Sequence, residues 1–133
     1  MESVIKLLEA NKVGALATSY EGKPYVRPQH LHFIKDGKFY FTTANVKKAY
    51  QQLKENPYME FMVTTPDFQT IRLSGSVEFS QSIEEKEMVL EAAPLVKKGY
   101  QTADNPIFEV FYIEHGQIVL SDFSGNPPRT IEF

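Results

Sequence analysis

Tight turn sequences at short intervals constrain this chain more than any other feature. The order is "VGALATSY", the turn "EGKP", "YVRPQHLHFI", the turn "KDGK" and then "FYFTT". Runs of β-branched and aromatic residues between polar, glycine-containing turns are typical of antiparallel strands joined by hairpins. We therefore predict a β-meander over residues 13–43.

The strand pattern continues in the rest of the chain. "YMEFMVTT" and "QTIRLSGSVEFS", separated by "PDF", are predicted to form a second hairpin with a bulge or bend at Gly75. The segment "IFEVFYIEHGQIVLSDF" is predicted to form two further strands around His115 and Gly116. Strands therefore dominate the predicted secondary structure.

Short helices are predicted between these strands. Ser3 to Asn11 carries a short apolar stripe, and Val46 to Glu55 has apolar residues at i, i+3, i+4 and i+7. Ser82 and Glu85 form a capping-box pattern ahead of a third helix, which Pro94 should break or kink. Six or seven strands with two or three short helices favour a small antiparallel barrel over a parallel sheet.

Composition sets limits on the class of protein. A chain of 133 residues with 42% hydrophobic content is expected to form one domain, residues 1–133. It contains no cysteine, which excludes disulfides and thiol catalysis. The net charge of -3 argues against a general nucleic-acid surface. The start "MESVIKLLEANK" mixes charged and apolar residues, so we expect a cytoplasmic protein with neither nucleic acid nor membrane as a partner.

Two lysines in the first turn of the second predicted helix suggest a bound anion. With Asn45 as the predicted N-cap, Lys47 and Lys48 stand at the positive end of the helix, where a cation is unfavourable by about 0.3–1 kcal/mol. A phosphate held by free N–H groups, the lysines and the hydroxyls of Thr42 and Thr43 explains this placement. The alternative is a pair of surface lysines whose small penalty is screened by salt and water.

Arg27 adds a third candidate cation on the neighbouring strand. Pro28 removes a hydrogen-bond donor, which restricts it to an edge, a bulge or a place without an adjacent strand, and it holds Arg27 extended. A guanidinium can bind phosphate oxygens through two parallel hydrogen bonds. The alternative is an ordinary solvated arginine on a strand.

Other polar residues give weaker indications of a functional site. His30 and His32 share one strand face and resemble half of a metal site, but no third ligand follows at a suggestive spacing. Asp67, Asp104 and Asp122 lie in turn-like stretches without a nucleophile motif beside them. The sequence therefore favours neither a metal site nor hydrolase chemistry.

The order of these segments resembles a known family, the FMN-binding split-barrel proteins related to pyridoxamine 5′-phosphate oxidase. The similarity is greatest to the short members grouped with nitroimidazole-resistance proteins. It is carried by "NKVGALATSYEGKPYVRP", "DGKFYFTTANVKKAYQQLKENP" and "IRLSGSVEF", and more loosely by the C-terminal third. The resemblance implies a mainly β, α+β fold: a six-stranded antiparallel Greek-key split β-barrel with short flanking helices. It further implies a homodimer with FMN at the subunit interface and a small-molecule substrate.

The resemblance also implies which residues bind FMN. Those expected at the phosphate are Arg27, Lys47 and Lys48, with Asn45 in the turn before them. Those expected along the flavin ring or at neighbouring strand ends are Pro28, Gln29, His30, Phe41, Thr42 and Thr70.

Departures from the oxidase bear on activity. His32 stands where the oxidase has a lysine, Thr70 replaces a glutamine, and the substrate-phosphate motif has no match in "KEMVLEAAPLVKKGYQTADN". FMN binding is therefore expected, but vitamin oxidation is not. The expected function is an oxidoreductase that passes electrons from a reduced nicotinamide or another donor to a small acceptor. Open alternatives are a non-catalytic flavin store or sensor, and a heme-binding split barrel with His30 or His32 as axial ligand.

Overall fold

A computed structural model describes residues 1–133, and an antiparallel sheet organises the chain. The strands are β1 (Val13–Tyr20), β2 (Lys23–His30), β3 (Phe33–Lys35), β4 (Lys38–Ala44), β5 (Tyr58–Thr64), β6 (Thr70–Phe79), β7 (Phe108–Ser121) and β8 (Arg129–Glu132). The helices are α1 (Glu2–Ala10), α2 (Lys48–Glu55), α3 (Ile83–Ala92) and α4 (Pro94–Tyr100). None of these helices is long and apolar enough to cross a lipid bilayer.

The sheet curls into a barrel that stays open along one seam. Its strand order is β2-β1-β5-β6-β7-β4-β3, with β8 paired to β7, so β2 and β3 are the edges. The main-chain N–H of His32, just after β2, donates to the carbonyl of Tyr40 on β4 at 2.9 Å, which brings β2 close to β4 without a ladder between them. The expected α+β split-barrel fold is confirmed. The short strands β3 and β8 are additional to the six strands that were expected.

The barrel interior is filled by aromatic and aliphatic side chains. The ring centroid of Phe41 lies 5.0 Å from that of Phe61 and 5.4 Å from that of Phe111. Val4 and Leu8 of α1 join the same buried cluster. Full burial of each such side chain contributes about 1.5–3 kcal/mol, so packing holds a fold that has no disulfide.

A second buried cluster fixes α3 and α4 outside the barrel. Val89 and Leu90 of α3 pack with Tyr40 of β4 and Phe108 of β7. Ser82 caps α3 by accepting a hydrogen bond from the N–H of Glu85 at 3.2 Å, which confirms one half of the predicted capping box. The other half is not formed, because the Glu85 carboxylate accepts hydrogen bonds from the hydroxyls of Tyr40 and Ser80 instead.

Two glycines explain why β7 runs straight through the predicted turn at His115 and Gly116. Gly75 lies opposite Gly116, and a Cβ on Gly116 would stand 2.0 Å from the carbonyl oxygen of Ser74. Glycine here allows β6 and β7 to approach closely rather than to reverse direction. The bulge expected at Gly75 is confirmed as a register shift between Gly75 and Val77.

One predicted strand divides into two, and the predicted break in the third helix is confirmed. The strand predicted over residues 25–34 separates at Leu31 and His32 into β2 and β3. The helix that Pro94 was expected to break does break there, since α3 ends at Ala92 and α4 begins at Pro94.

Candidate functional site

A cleft of about 610 Å³ lies where the seam of the barrel meets the α3–α4 pair. The end of β2, the segment Leu31–His32, Thr42 and Thr43 of β4, and Lys47 line one side. The opposite wall is formed by residues 92–96 and Tyr100 and is mainly apolar. The volume is in the range typical of small-molecule sites, roughly 300–1,000 Å³.

The free edge of β2 forms part of the cleft. Pro28 pairs with Ala15 of β1 on one side and has no strand on the other, which confirms the prediction that proline marks a place without an adjacent strand. The side-chain amide of Gln29 crosses the seam and donates to the carbonyl of Thr42 at 3.1 Å. These two residues therefore define the gap between β2 and β4.

A histidine pair lies in the cleft. His32 is 7% exposed, and its Nε2 is 2.8 Å from the hydroxyl oxygen of Thr42. The rings of His30 and His32 stack with centroids 6.2 Å apart. Burial, followed by the nearby charges of His30 and Lys12, lowers the pKa of His32 to about 4. His32 is therefore neutral at pH 7 and fixes the orientation of Thr42.

Helix α2 starts two residues later than predicted. Lys47 is the N-cap and Lys48 the first helical residue, with no side-chain cap and no acidic residue in the first turn. The predicted cap, Asn45, is wrong: its amide donates to the carbonyl of Pro106 and to the carboxylate of Glu109. Lys47 lines both the cleft and a second groove beside α2, whereas Lys48 and Asn45 line only that second groove.

Val46 also differs from its predicted position. The pattern of apolar residues places it on the core face of the helix, but the structure leaves it in the turn before α2 and 74% exposed.

Arg27 points under α2 rather than into the cleft. Its Nη2 donates to Oε1 of Gln52 at 2.6 Å, and its Nη1 donates to the hydroxyl of Thr18 at 2.9 Å. Arg27 is therefore bonded to Gln52, one turn of α2 after Lys48, and it is not among the residues that line the cleft. Arg27 instead ties β1 and β2 to α2.

The remaining predicted residues divide between the cleft and the rest of the fold. Phe41 is 0% exposed in the barrel core, and Thr70 bonds to Ser121 at 2.6 Å; neither lines the cleft. The predicted residues that do line the cleft are Pro28, Gln29, His30, Thr42 and Lys47.

Sequence reasoning missed Lys12 and the apolar wall. Lys12 enters the cleft because its carbonyl accepts a hydrogen bond from the N–H of Leu31 at 2.8 Å, a long-range pairing that no local pattern shows. The wall could have been suspected from the helix that Pro94 interrupts, since a break turns a second apolar surface in a new direction. No group of three or more histidines, cysteines or carboxylates is close enough together to hold a metal ion.

Comparison with known proteins gives the family. The family model described as "Pyridoxamine 5'-phosphate oxidase" matches residues 1–118. A NimC/NimA family protein from Clostridium acetobutylicum is 34% identical, with a TM-score of 0.89 over 100% of this chain and 92% of that one. General stress protein 26 of Bacillus subtilis (strain 168) is 24% identical over 136 residues, covering 98% of this chain and 94% of the relative.

More distant structures share the fold. One is a pyridoxamine 5'-phosphate oxidase-related, FMN binding protein from Nostoc punctiforme, at 15% identity and a TM-score of 0.72, covering 90% of this chain and 78% of that one. Another is a heme binding protein from Mycobacterium smegmatis, at 17% identity and a TM-score of 0.80, covering 98% of this chain and 57% of that one. The family model covers most of the chain, and this protein belongs to the pyridoxamine 5′-phosphate oxidase family.

Proposed function

We propose that this protein binds FMN in the cleft and acts as an oxidoreductase that transfers electrons between a reduced nicotinamide or another donor and a small acceptor. One observation carries the proposal: Lys47, at the uncapped start of α2, faces the same cleft as the free edge of β2 and the apolar wall of α3–α4. FMN is phosphorylated, planar and partly apolar, so each of these three features offers a contact to one part of it.

The phosphate end is assigned to the start of α2. Lys47 supplies a full positive charge, and the first-turn N–H groups supply donors and the positive end of the helix dipole. Thr42 and Thr43 line the cleft nearby and carry hydroxyls. This set fits a phosphate by charge and by hydrogen-bonding capacity.

The ring end is assigned to the segment from Pro28 to His30 and to the opposite wall. The unpaired edge of β2 offers main-chain groups to a planar heterocycle, and residues 92–94 of the wall exclude water from the other side. When bound, FMN supplies the electron-transfer chemistry, while the protein orients it and adjusts its potential. Neutral His32 holds Thr42 in place without adding a charge.

A homodimer belongs to the proposal. Val26 and Met62 lie on the outer face of the sheet, opposite Ala17 and Ala15 respectively, and both are exposed. An apolar sheet face of this kind supports association with a second copy. Thr70 lies outside its own cleft, so in this arrangement it would approach the flavin only across the subunit interface.

The test is direct. The purified protein should be yellow, should release FMN on heating, and should oxidise a nicotinamide donor when an electron acceptor is supplied. A colourless protein that does not bind added FMN would contradict the proposal. Tight FMN binding without turnover would instead identify a flavin store or sensor.

Heme is the second candidate ligand. His30 is exposed in the cleft and has the chemistry of an axial ligand, whereas Nε2 of His32 is already engaged by Thr42. The shared fold with a heme binding protein supports testing it. A Soret band after reconstitution, lost in His30→Ala, would favour heme over FMN.

A further inference from the structure

The charge of the cleft is opposite to that of the protein. The chain has a net charge of -3, yet two lysines and no acidic residue line the cleft. These lysines are Lys12 and Lys47, and the neutral His32 adds no charge to them. A cleft lined by one sign of charge raises the local concentration of ligands of the opposite sign.

One phosphate does not account for all of this charge. Lys47 stands at the start of α2, whereas Lys12 precedes β1, and its carbonyl bonds to Leu31 next to His30. His30 pairs with Val13, the residue after Lys12, and both Lys12 and His30 line the cleft. Burial is the main cause of the lowered pKa of His32, and the nearby His30 and Lys12 lower it further.

We propose that Lys12 and His30 form a second anion subsite, which binds the oxyanionic group, carboxylate or phosphate, of the small molecule held beside the flavin. This inference rests on the proposed FMN site and adds the substrate class to it. His32 does not compete for the anion, because its ring is buried and bonded to Thr42.

The opposite wall indicates the rest of that molecule. Leu95 lines the cleft although it is 81% exposed, and Val96 and Tyr100 lie on the same wall. Exposed apolar surface of this kind is stabilised when an apolar ligand covers it. The subsite therefore fits an aromatic or aliphatic acid, with its charge at Lys12 and its apolar part against Leu95.

Benzoate, phenyl phosphate and uncharged benzamide form a probe set that separates charge from shape. Each is titrated into the FMN-loaded protein, and binding is followed by the change in flavin absorbance and by calorimetry. Benzoate or phenyl phosphate should bind more tightly than benzamide, and the stronger of the two identifies the oxyanion. Lys12→Gln should weaken binding of the oxyanion probe by about tenfold to a hundredfold, which is the contribution of a charged hydrogen bond, and should have little effect on the binding of benzamide.

Lys23→Gln is the matched control, since Lys23 lies at the opposite end of β2 and outside the cleft. Equal affinity for charged and uncharged probes, or an equal loss of oxyanion affinity in both variants, would contradict the proposed subsite. Loss of FMN itself from Lys12→Gln would also overturn it, because Lys12 would then serve the cofactor. If the wild-type protein holds no FMN, the proposed function fails, and calorimetry on the flavin-free protein applies the same comparison to the subsite alone.

Discussion

The side-chain amide of Gln29 donates to the main-chain carbonyl of Thr42 at 3.1 Å, joining two strands that share no ladder. This bond spans the seam of the barrel at the point where the cleft opens. Because a side chain rather than a neighbouring strand fills the gap, β2 keeps an edge without a strand partner beside the cleft. The opening that makes the barrel incomplete is thus the place where its function is proposed.

Arg27 is predicted to stabilise the fold more than it serves a ligand. Arg27→Ala removes the donors to Gln52 and Thr18, both of which are buried, and should lower the free energy of unfolding by about 1–3 kcal/mol. Urea denaturation measures this change. Arg72→Ala, at an exposed position of β6, is the control and should have a small effect. An unchanged midpoint for Arg27→Ala would contradict the structural role.

Stability should depend on pH through His32. Its pKa is about 4 in the folded protein against an ordinary value of 6.5, so between these values the unfolded chain binds the extra proton. Stability therefore rises with pH across this window and is lost on acidification, by up to about 3 kcal/mol. Thermal unfolding of the wild type and of His32→Gln at several pH values checks this. The variant should show a flatter profile above about pH 4.5, and parallel profiles would exclude His32 as the cause.

Tyr40 should anchor the apolar wall of the cleft. Its hydroxyl donates to Glu85 near the start of α3, so Tyr40→Phe leaves that carboxylate with Ser80 as its remaining side-chain donor and should cost about 1–3 kcal/mol. Hydrogen exchange over residues 83–100 should also become faster. Tyr112→Phe removes a hydroxyl that donates to Glu78 at the surface and is the matched control. Similar effects of both changes would argue against a special role for Tyr40.

Gly116 should tolerate no side chain. A Cβ there would meet main-chain atoms of Ser74 and Gly75, which cannot rotate away, so Gly116→Ala should destabilise the protein by about 3 kcal/mol or more. Gly99→Ala, in α4 with open space around it, should be neutral or stabilising by up to about 1 kcal/mol. Thermal melting of both variants provides the comparison, and equal melting temperatures would contradict the close approach of β6 and β7.

Local patterns predicted the parts of the fold that depend on neighbouring residues. The turns "EGKP" and "KDGK", the break at Pro94 and the Ser82 cap all follow from backbone preferences within a few residues. The turn predicted at His115 and Gly116 was wrong, because glycine suits both a turn and a close contact between strands. Only the position of Gly75 across the sheet distinguishes these two possibilities.

The site was predicted in part for a similar physical reason. Pro28 identifies a free edge by its chemistry alone, and Lys47 was found by its unfavourable place in a helix. The position of Arg27 outside the cleft lining depends on Gln52, a buried acceptor on another element, whose position only the folded chain defines. Lys12 reaches the cleft through a main-chain bond to Leu31, which no spacing in the sequence indicates.

The most direct test of the proposed function compares two adjacent lysines. Lys47→Glu places a carboxylate at the proposed phosphate position, and Lys48→Glu makes the same charge change outside the cleft. Titration of each flavin-free protein with FMN should show a loss of about a hundredfold or more for Lys47→Glu and a much smaller loss for Lys48→Glu, with both variants folded. Equal FMN affinity in Lys47→Glu and the wild type would contradict the FMN site.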